Sequence, residues 1–239
     1  MNAESYYEKE YWKERLGHRD VDYKAALFFE LIRENNIVIP SECHIIEIGC
    51  GTGVFIRPLS KLLNSMQIKY KIKGYDIAVN AIEFAQKINT DPNVEYLLGS
   101  ADQITEKVDF IFLLDVIEHL CDPFNFVKRL YGKSSFLIIN VPIEQSIVHI
   151  LVDRPETSYR LFRHIGFYSL SSIKVFFECL PQKIISFKHY HSSKLILKHD
   201  GSIWIKIFRL FMFLLYNFFP KFASKLGGGD HHVYIKKLS

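Results

Sequence analysis

The sequence predicts an α/β protein built on a Rossmann-like, mostly parallel sheet with helices on both faces. Short apolar runs of strand length alternate with stretches of helical periodicity, the order that produces a doubly wound sheet. The first run, Ile45-Ile46-Glu47-Ile48, contains an acid and leads into Gly49-Cys50-Gly51-Thr52-Gly53, a glycine turn opening a helix. Later runs end on Asp76 and Asp115. In folds of this kind, ligands bind at the carboxyl ends of the strands.

Taken in order, residues 4–16 and 21–36 show helical spacing, and Asn35, Asn36 and Pro40 end the second helix. Tyr6, Tyr7, Tyr11 and Trp12 either line a ligand pocket or staple the first helix to the core. The first strand is Cys43–Ile48. A helix over Val54–Met66 follows, its face formed by Phe55, Ile56, Leu59, Leu62 and Leu63. The second strand, Tyr70–Tyr75, is followed by Asp76, a helix over Ala78–Ile88 and a third strand at Val94–Leu98. Val108–Asp115 is apolar almost throughout, as a central parallel strand is. Asp122-Pro123 starts a helix that runs to Tyr131, with proline in the first turn, and Ser135–Val141 is the fifth strand.

Beyond it, residues 143–182 read as mostly helical: Gln145–Val152, Pro155–Phe162, and Ser171–Leu180 with Ser169 as its N-cap. Lys183–His191 and His231–Leu238 read as strands, and Gly227-Gly228-Gly229 as a turn. Between them, 14 of the 17 residues in 203–219 are apolar. That stretch is too short and too charged for a membrane span. Two readings stay open: a helix buried on the sheet, a dimer mate or the acceptor pocket, or a helix lying in a membrane interface.

The length of 239 residues suits one domain over 1–239. Its parts are N-terminal cap helices (1–40), a ligand-binding core (43–142) and an added region (143–230). With 49% hydrophobic and 15% aromatic residues the chain is not disordered. Cys43, Cys50, Cys121 and Cys179 form no C-x-x-C pair, and the N-terminus is too polar for a signal peptide, so a cytoplasmic protein is expected. Residues 183–239 carry ten Lys/Arg against two acids, whereas the remainder carries 20 against 24. A basic tail on a slightly acidic body fits an anionic substrate, a membrane surface or nucleic acid near the C-terminus.

The pattern Glu47-x-Gly49-x-Gly51-x-Gly53 departs from the dinucleotide fingerprint, which would need glycine where Val54 stands. It resembles motif I of the class I S-adenosylmethionine (SAM) dependent methyltransferases. Asp115-Val116-Ile117-Glu118-His119-Leu120 resembles the segment after the fourth strand in many small-molecule methyltransferases. The resemblance covers residues 45–142 well and the rest in layout, and points to the type that acts on quinones, sugars and secondary metabolites. It implies a seven-stranded sheet with an antiparallel last strand and added helices over an acceptor pocket. It further implies that Glu47, Gly49, Cys50, Gly51 and Gly53 hold the amino-acid end of SAM, and that Asp76, with Ile77 beside it, takes the ribose hydroxyls. Ala101, Asp102 and Gln103 would meet the adenine, and Asp115 and Val116 the methionine portion and the methyl group.

A hydroxyl acceptor benefits from a general base titrating near neutrality, which favours histidine. His119, His149 and His164 are the candidates near the mouth of the sheet. The expected acceptor is a hydroxyl of a small molecule or of an envelope carbohydrate or lipid-linked substrate, with a small-molecule amine as an alternative. A peripheral membrane contact through 203–225 and a homodimer fit the same reading. A further alternative uses Asp115, Glu118, His119 and His164, which resemble the metal site (E-x-x-E-H with a distant His) of small-RNA 3′-terminal 2′-O-methyltransferases. Asp115 departs from that pattern, and the Ile-Glu-His-Leu string also occurs in metal-free relatives. The reading therefore takes no metal and no nucleic acid, with Glu118 and His119 bracing the loop.

Overall fold

The computed structural model describes residues 21–180, 184–191, 203–227 and 230–237. The expected helix over 4–16, with its aromatic residues, lies outside them, as do Gly228 and Gly229. Seven strands form one sheet: β1 (Glu42–Ile48), β2 (Lys69–Asp76), β3 (Val94–Leu98), β4 (Val108–Leu114), β5 (Ser134–Pro142), β6 (Ile184–His191) and β7 (Asp230–Lys237). Their order is β3-β2-β1-β4-β5-β7-β6. The first five run parallel, and β7 lies antiparallel between β5 and β6. The strand order reverses between β1 and β4, which opens a crevice outside their carboxyl ends.

The crossovers lay helices on the two faces. On one, α1 (Val21–Glu34), α2 (Ile56–Ser65) and α3 (Val79–Ile88) bury Ala25, Phe28, Leu31, Leu59 and Ile82 against β1 and β2. Phe28 meets Phe112 edge-on at 4.9 Å and Phe110 at 5.4 Å, fixing α1 to the middle of the sheet. On the other, α4 (Pro123–Arg129) and α7 (Leu170–Glu178) bury Phe126, Val127, Ile173 and Phe177. Helix α2 begins at Ile56, two residues later than its periodicity predicts. The turn over 51–55 uses up the intervening residues, and its Gly53 amide bonds back to the Cys50 carbonyl at 2.9 Å. The capping expectations hold. Asp122 accepts from the Asn125 amide at 3.1 Å ahead of Pro123, and Ser169 accepts from the Ser172 amide at 3.1 Å.

After β5 come two short helices, α5 (Ile147–Leu151) and α6 (Arg154–Phe162), and late in the chain α8 (Ile203–Phe218) and α9 (Pro220–Gly227). Within one chain, helix α8 is only partly buried. It buries Met212 and Tyr216 in a small cluster with Ala223 of α9, while Phe208, Phe211, Leu214 and Phe218 stay about half or more exposed. The reason is position: among the described residues α8 packs mainly on α9, and α9 in turn on α5 and α7, so α8 forms an outer layer.

Candidate functional site

The glycine turn is held between two strands. The Gly49 and Cys50 amides donate to the Tyr75 carbonyl at 2.7 and 3.1 Å, tying the end of β1 to the end of β2. Gly49 and Gly53 have φ of +75° and +71°, a conformation that glycine adopts without penalty. A Cβ on Gly49 would lie 2.7 Å from Val116 Cγ2, and one on Gly53 would fall on the Tyr96 hydroxyl. The predicted ligand-holding residues Gly49, Cys50, Gly51, Gly53 and Val116 are thus brought together around one turn.

The carboxylates beside it are under electrostatic stress. Glu47 is buried, and its Oε2 has no hydrogen-bond partner. Burial, and then the nearby Asp76 charge, push its carboxyl up to about 8. A buried carboxylate in this condition calls for a cation. Asp76 is also buried, and its two oxygens accept from the Gly51 and Ala78 amides at 2.8 Å each. Burial raises its pKa, partly offset by those amides. Each oxygen keeps a second lone pair for the expected ribose hydroxyls. Ile77 is exposed beside it.

Around the expected adenine end the structure is mixed. Ala101 is buried, its carbonyl accepting from Lys133 Nζ at 3.3 Å. Asp102 is exposed and pairs with Arg129 at 3.3 Å. Gln103, expected among the ligand contacts, is exposed and folds its side chain back onto the chain. Its Oε1 accepts from the Ser100 amide at 3.2 Å and closes a capping box on the short 3-10 turn Ala101–Gln103.

After β4, Asp115 sits at φ +54° and its Oδ2 accepts from Lys24 Nζ of α1 at 2.6 Å. Lys24 is buried, and its charge opposes the upward shifts of both Glu47 and Glu118. It has no role in the sequence reading, yet its signal was there: Lys24 lies at helical spacing with Leu27, Phe28 and Leu31 and so falls on the buried face of α1. From the 3-10 turn Ile117–His119, the Glu118 carbonyl accepts from the Ile165 and Gly166 amides at 2.9 and 2.8 Å. This draws His164 against His119, with ring centroids 4.8 Å apart. Burial, then the charge of His164, lower the His119 imidazole to about 4. His164 Nδ1 lies 2.6 Å from Glu144 Oε2, and Ser158 donates to the other Glu144 oxygen at 2.6 Å. Burial pushes the Glu144 carboxyl up, and the His164 and Ser158 hydrogen bonds outweigh it, so the net shift is downward. Glu144 too was missed, because nothing local in Pro142-Ile143-Glu144 announces a partner 20 residues away. The third candidate histidine, His149, lies on α5, outside the cluster of Glu118, His119 and His164.

Residues 16–179 match a family model described as a methyltransferase domain. A mitochondrial ubiquinone biosynthesis O-methyltransferase of Dictyostelium discoideum is 29% identical over 123 residues, 45% of this chain and 37% of that protein. The chain thus spans well under half the length of this curated relative. Among solved structures, magnesium protoporphyrin IX methyltransferase from Synechocystis PCC 6803 with bound SAH superposes with a TM-score of 0.63 at 12% identity. That match covers 99% of this chain and 98% of the other. The plantazolicin methyltransferase BamL, in complex with a triazolic desmethylPZN analog and SAH, gives 0.61 at 19% identity, over 98% and 91%. At these identities the structural likenesses show the fold.

Proposed function

The chain belongs to the methyltransferase-domain family, and we propose that it moves a methyl group from SAM to a hydroxyl of a small molecule or lipid-linked carbohydrate. The observation that carries this reading is the buried Glu47, its Oε2 unsatisfied, beside the glycine turn, at the same end of the sheet as a histidine cluster. Glu47 offers the SAM ammonium the counter-ion that it itself lacks, and the turn leaves its backbone open to the amino-acid end. Asp76 takes the ribose, Asp102 the adenine amine, and Asp115 and Val116 border the methyl group. The acceptor oxygen attacks the methyl carbon in line with the sulfur, and the breaking C–S bond leaves its electron pair on what becomes the thioether of S-adenosylhomocysteine (SAH). The hydroxyl proton must leave, and the cluster of Glu118, His119 and His164 is placed to deal with it. The matched ubiquinone biosynthesis enzymes are named as O-methyltransferases, which supports oxygen as the acceptor.

Methyl-labelled SAM incubated with fractionated source-cell extract tests the acceptor. Label is expected in the small-molecule, lipid or glycan fraction, whereas label in RNA would move the reading to a ribose hydroxyl. Asp76→Ala and Asp102→Ala should each weaken SAM binding about 10- to 100-fold, the range of hydrogen bonds to charged groups. Unchanged affinity in both would sink the cofactor assignment.

The lipid-linked part rests on the outer surface of α8 and α9. Ile207, Phe208, Phe211, Leu214, Phe218 and Phe222 are exposed there, and Lys206, Lys221 and Lys225 are exposed among them. Apolar residues with interspersed lysines suit an anionic lipid surface. Among the described residues no helix is long and apolar enough to cross a membrane, so contact would be peripheral. The protein is expected to sediment with phosphatidylglycerol vesicles at low salt and to be released by Phe211→Ser with Leu214→Ser. Failure to sediment with anionic vesicles would remove the lipid-facing part and leave the methyl-transfer reading intact.

A further inference from the structure

We propose that the paired ends of β6 and β7 bind a divalent transition-metal ion at His189, His191 and His232, with Asp230 beside them. The site shares no residue with the methyl-transfer reading and does not rest on it. Four of the chain's ten histidines, His189, His191, His231 and His232, fall within these two strands of 8 residues each. A short stretch so rich in histidine has the composition of a metal-binding segment.

The register decides which of the four act together. His189 stands directly opposite His232, and His191 opposite Asp230, on antiparallel strands. Residues directly opposite share a face of the sheet, as do residues two apart along one strand. His189, His191, His232 and Asp230 therefore fall on one face, and His231, paired with Tyr190, falls on the other. Two neighbouring elements assign that face independently. Lys188 donates to Glu34 of α1 at 2.9 Å, which sets Lys188 on the α1 face and the adjacent His189 on the opposite one. His232 is also opposite Val141 of β5, and Val141 belongs to the core on the α4–α7 side.

The spacing suits an ion. Opposite positions on such strands have Cβ atoms about 4.5–5.5 Å apart, and diagonal ones about 7–8 Å. The opposed pair His189 and His232, with His191 on the diagonal, thus spans one metal site. Imidazole donors favour Zn²⁺, Ni²⁺ or Cu²⁺ over Mg²⁺ or Ca²⁺, which prefer oxygen. The place in the chain gives the ion a task. His191 ends β6 and Asp230 begins β7, and α8 and α9 lie between them in sequence. Among the described residues β6 is also the edge strand of the sheet. An ion at this corner clips the edge strand to its neighbour at the base of the α8–α9 excursion. A clip that closes a long loop restricts the unfolded chain strongly.

The full chain carrying Glu118→Gln is stripped with EDTA, dialysed and titrated calorimetrically with Zn²⁺. That background removes the Glu118 carboxylate beside His119 and His164, so the corner of β6 and β7 is the site tested. The expected result is one ion per chain and a rise in melting temperature when it is bound. Added to this background, His189→Asn and His232→Asn should each weaken uptake at least about 100-fold, and Asp230→Asn about 10-fold. His231→Asn changes the neighbouring histidine on the opposite face and should bind as tightly as its parent. Metal-free melting followed by circular dichroism shows that each variant is folded. His189, on the edge strand, keeps the test decisive if a change at His232 on the inner strand disturbs folding. The proposal is overturned if the parent takes up no ion, or if His189→Asn binds as tightly as the parent. It is equally overturned if His231→Asn loses as much affinity as His232→Asn.

Discussion

Gly53→Val is expected to abolish cofactor binding and to lower stability by about 2–4 kcal/mol, as a left-handed backbone and an overfilled site act together. The backbone contribution comes from φ of +71°, which a β-branched residue resists. The steric contribution comes from Tyr96, onto whose hydroxyl the new Cβ would fall. Tyr96 is buried and part of the core on the α1–α2 side of the sheet, so its ring has little room to yield. Gly132→Ala separates the two causes. Gly132 has a similar φ, +76°, but a Cβ added there would meet nothing within 4 Å. That variant should lose only about 1–2 kcal/mol and keep full affinity for SAH. Thermal unfolding followed by circular dichroism, with calorimetric SAH titration of both variants, checks the pair. If Gly53→Val bound SAH normally, the turn would not be the ligand cradle.

The contrast between these glycines marks what the sequence makes legible. Spacing within a few residues was enough for the sheet strands, the glycine turn, Asp76 at the end of β2, and the caps at Asp122 and Ser169. Each of those features is local, because the residues that cause it lie within about one helical turn or one loop. What stayed hidden depends on partners far along the chain. Lys24 and Asp115 are 91 residues apart, and Glu144 and His164 are 20 apart. Only the folded sheet decides that they meet. Gln103 shows the opposite case: its side chain is engaged locally, accepting from the Ser100 amide. Helix α8 shows a third kind of limit, since a strongly apolar helix reads alike whether it is covered by protein or left as an outer layer. The histidines divide along the same line. His119 and His164 are brought together by the bond of Ile165 and Gly166 to Glu118, whereas His149 rides on a separate short helix.

Glu47 should make SAM binding depend on pH in a direction fixed by its environment. In the free protein, burial and then the Asp76 charge hold the Glu47 carboxyl at about 8. An acid raised in this way costs stability as the pH climbs from the ordinary carboxylate range towards that value, because the folded carboxyl keeps a proton that the unfolded one gives up. The SAM ammonium reverses the balance, since beside it the ionised form is favoured. Binding below that value must therefore release a proton, and affinity should rise with pH, by up to about tenfold per unit, until the carboxyl is ionised without help. Calorimetric titrations at pH 7 in buffers of different ionisation enthalpy measure the proton count directly. Glu47→Gln should bind about 10- to 100-fold more weakly than wild type at pH 8, with no proton released and a flat pH profile. The two readouts are independent. A loss of affinity alone could follow from disturbed packing at the end of β1, but only a carboxyl that changes charge on meeting the ligand gives both the proton and the slope. Full affinity in Glu47→Gln, or no proton released by the wild type at pH 7, would remove Glu47 as the counter-ion.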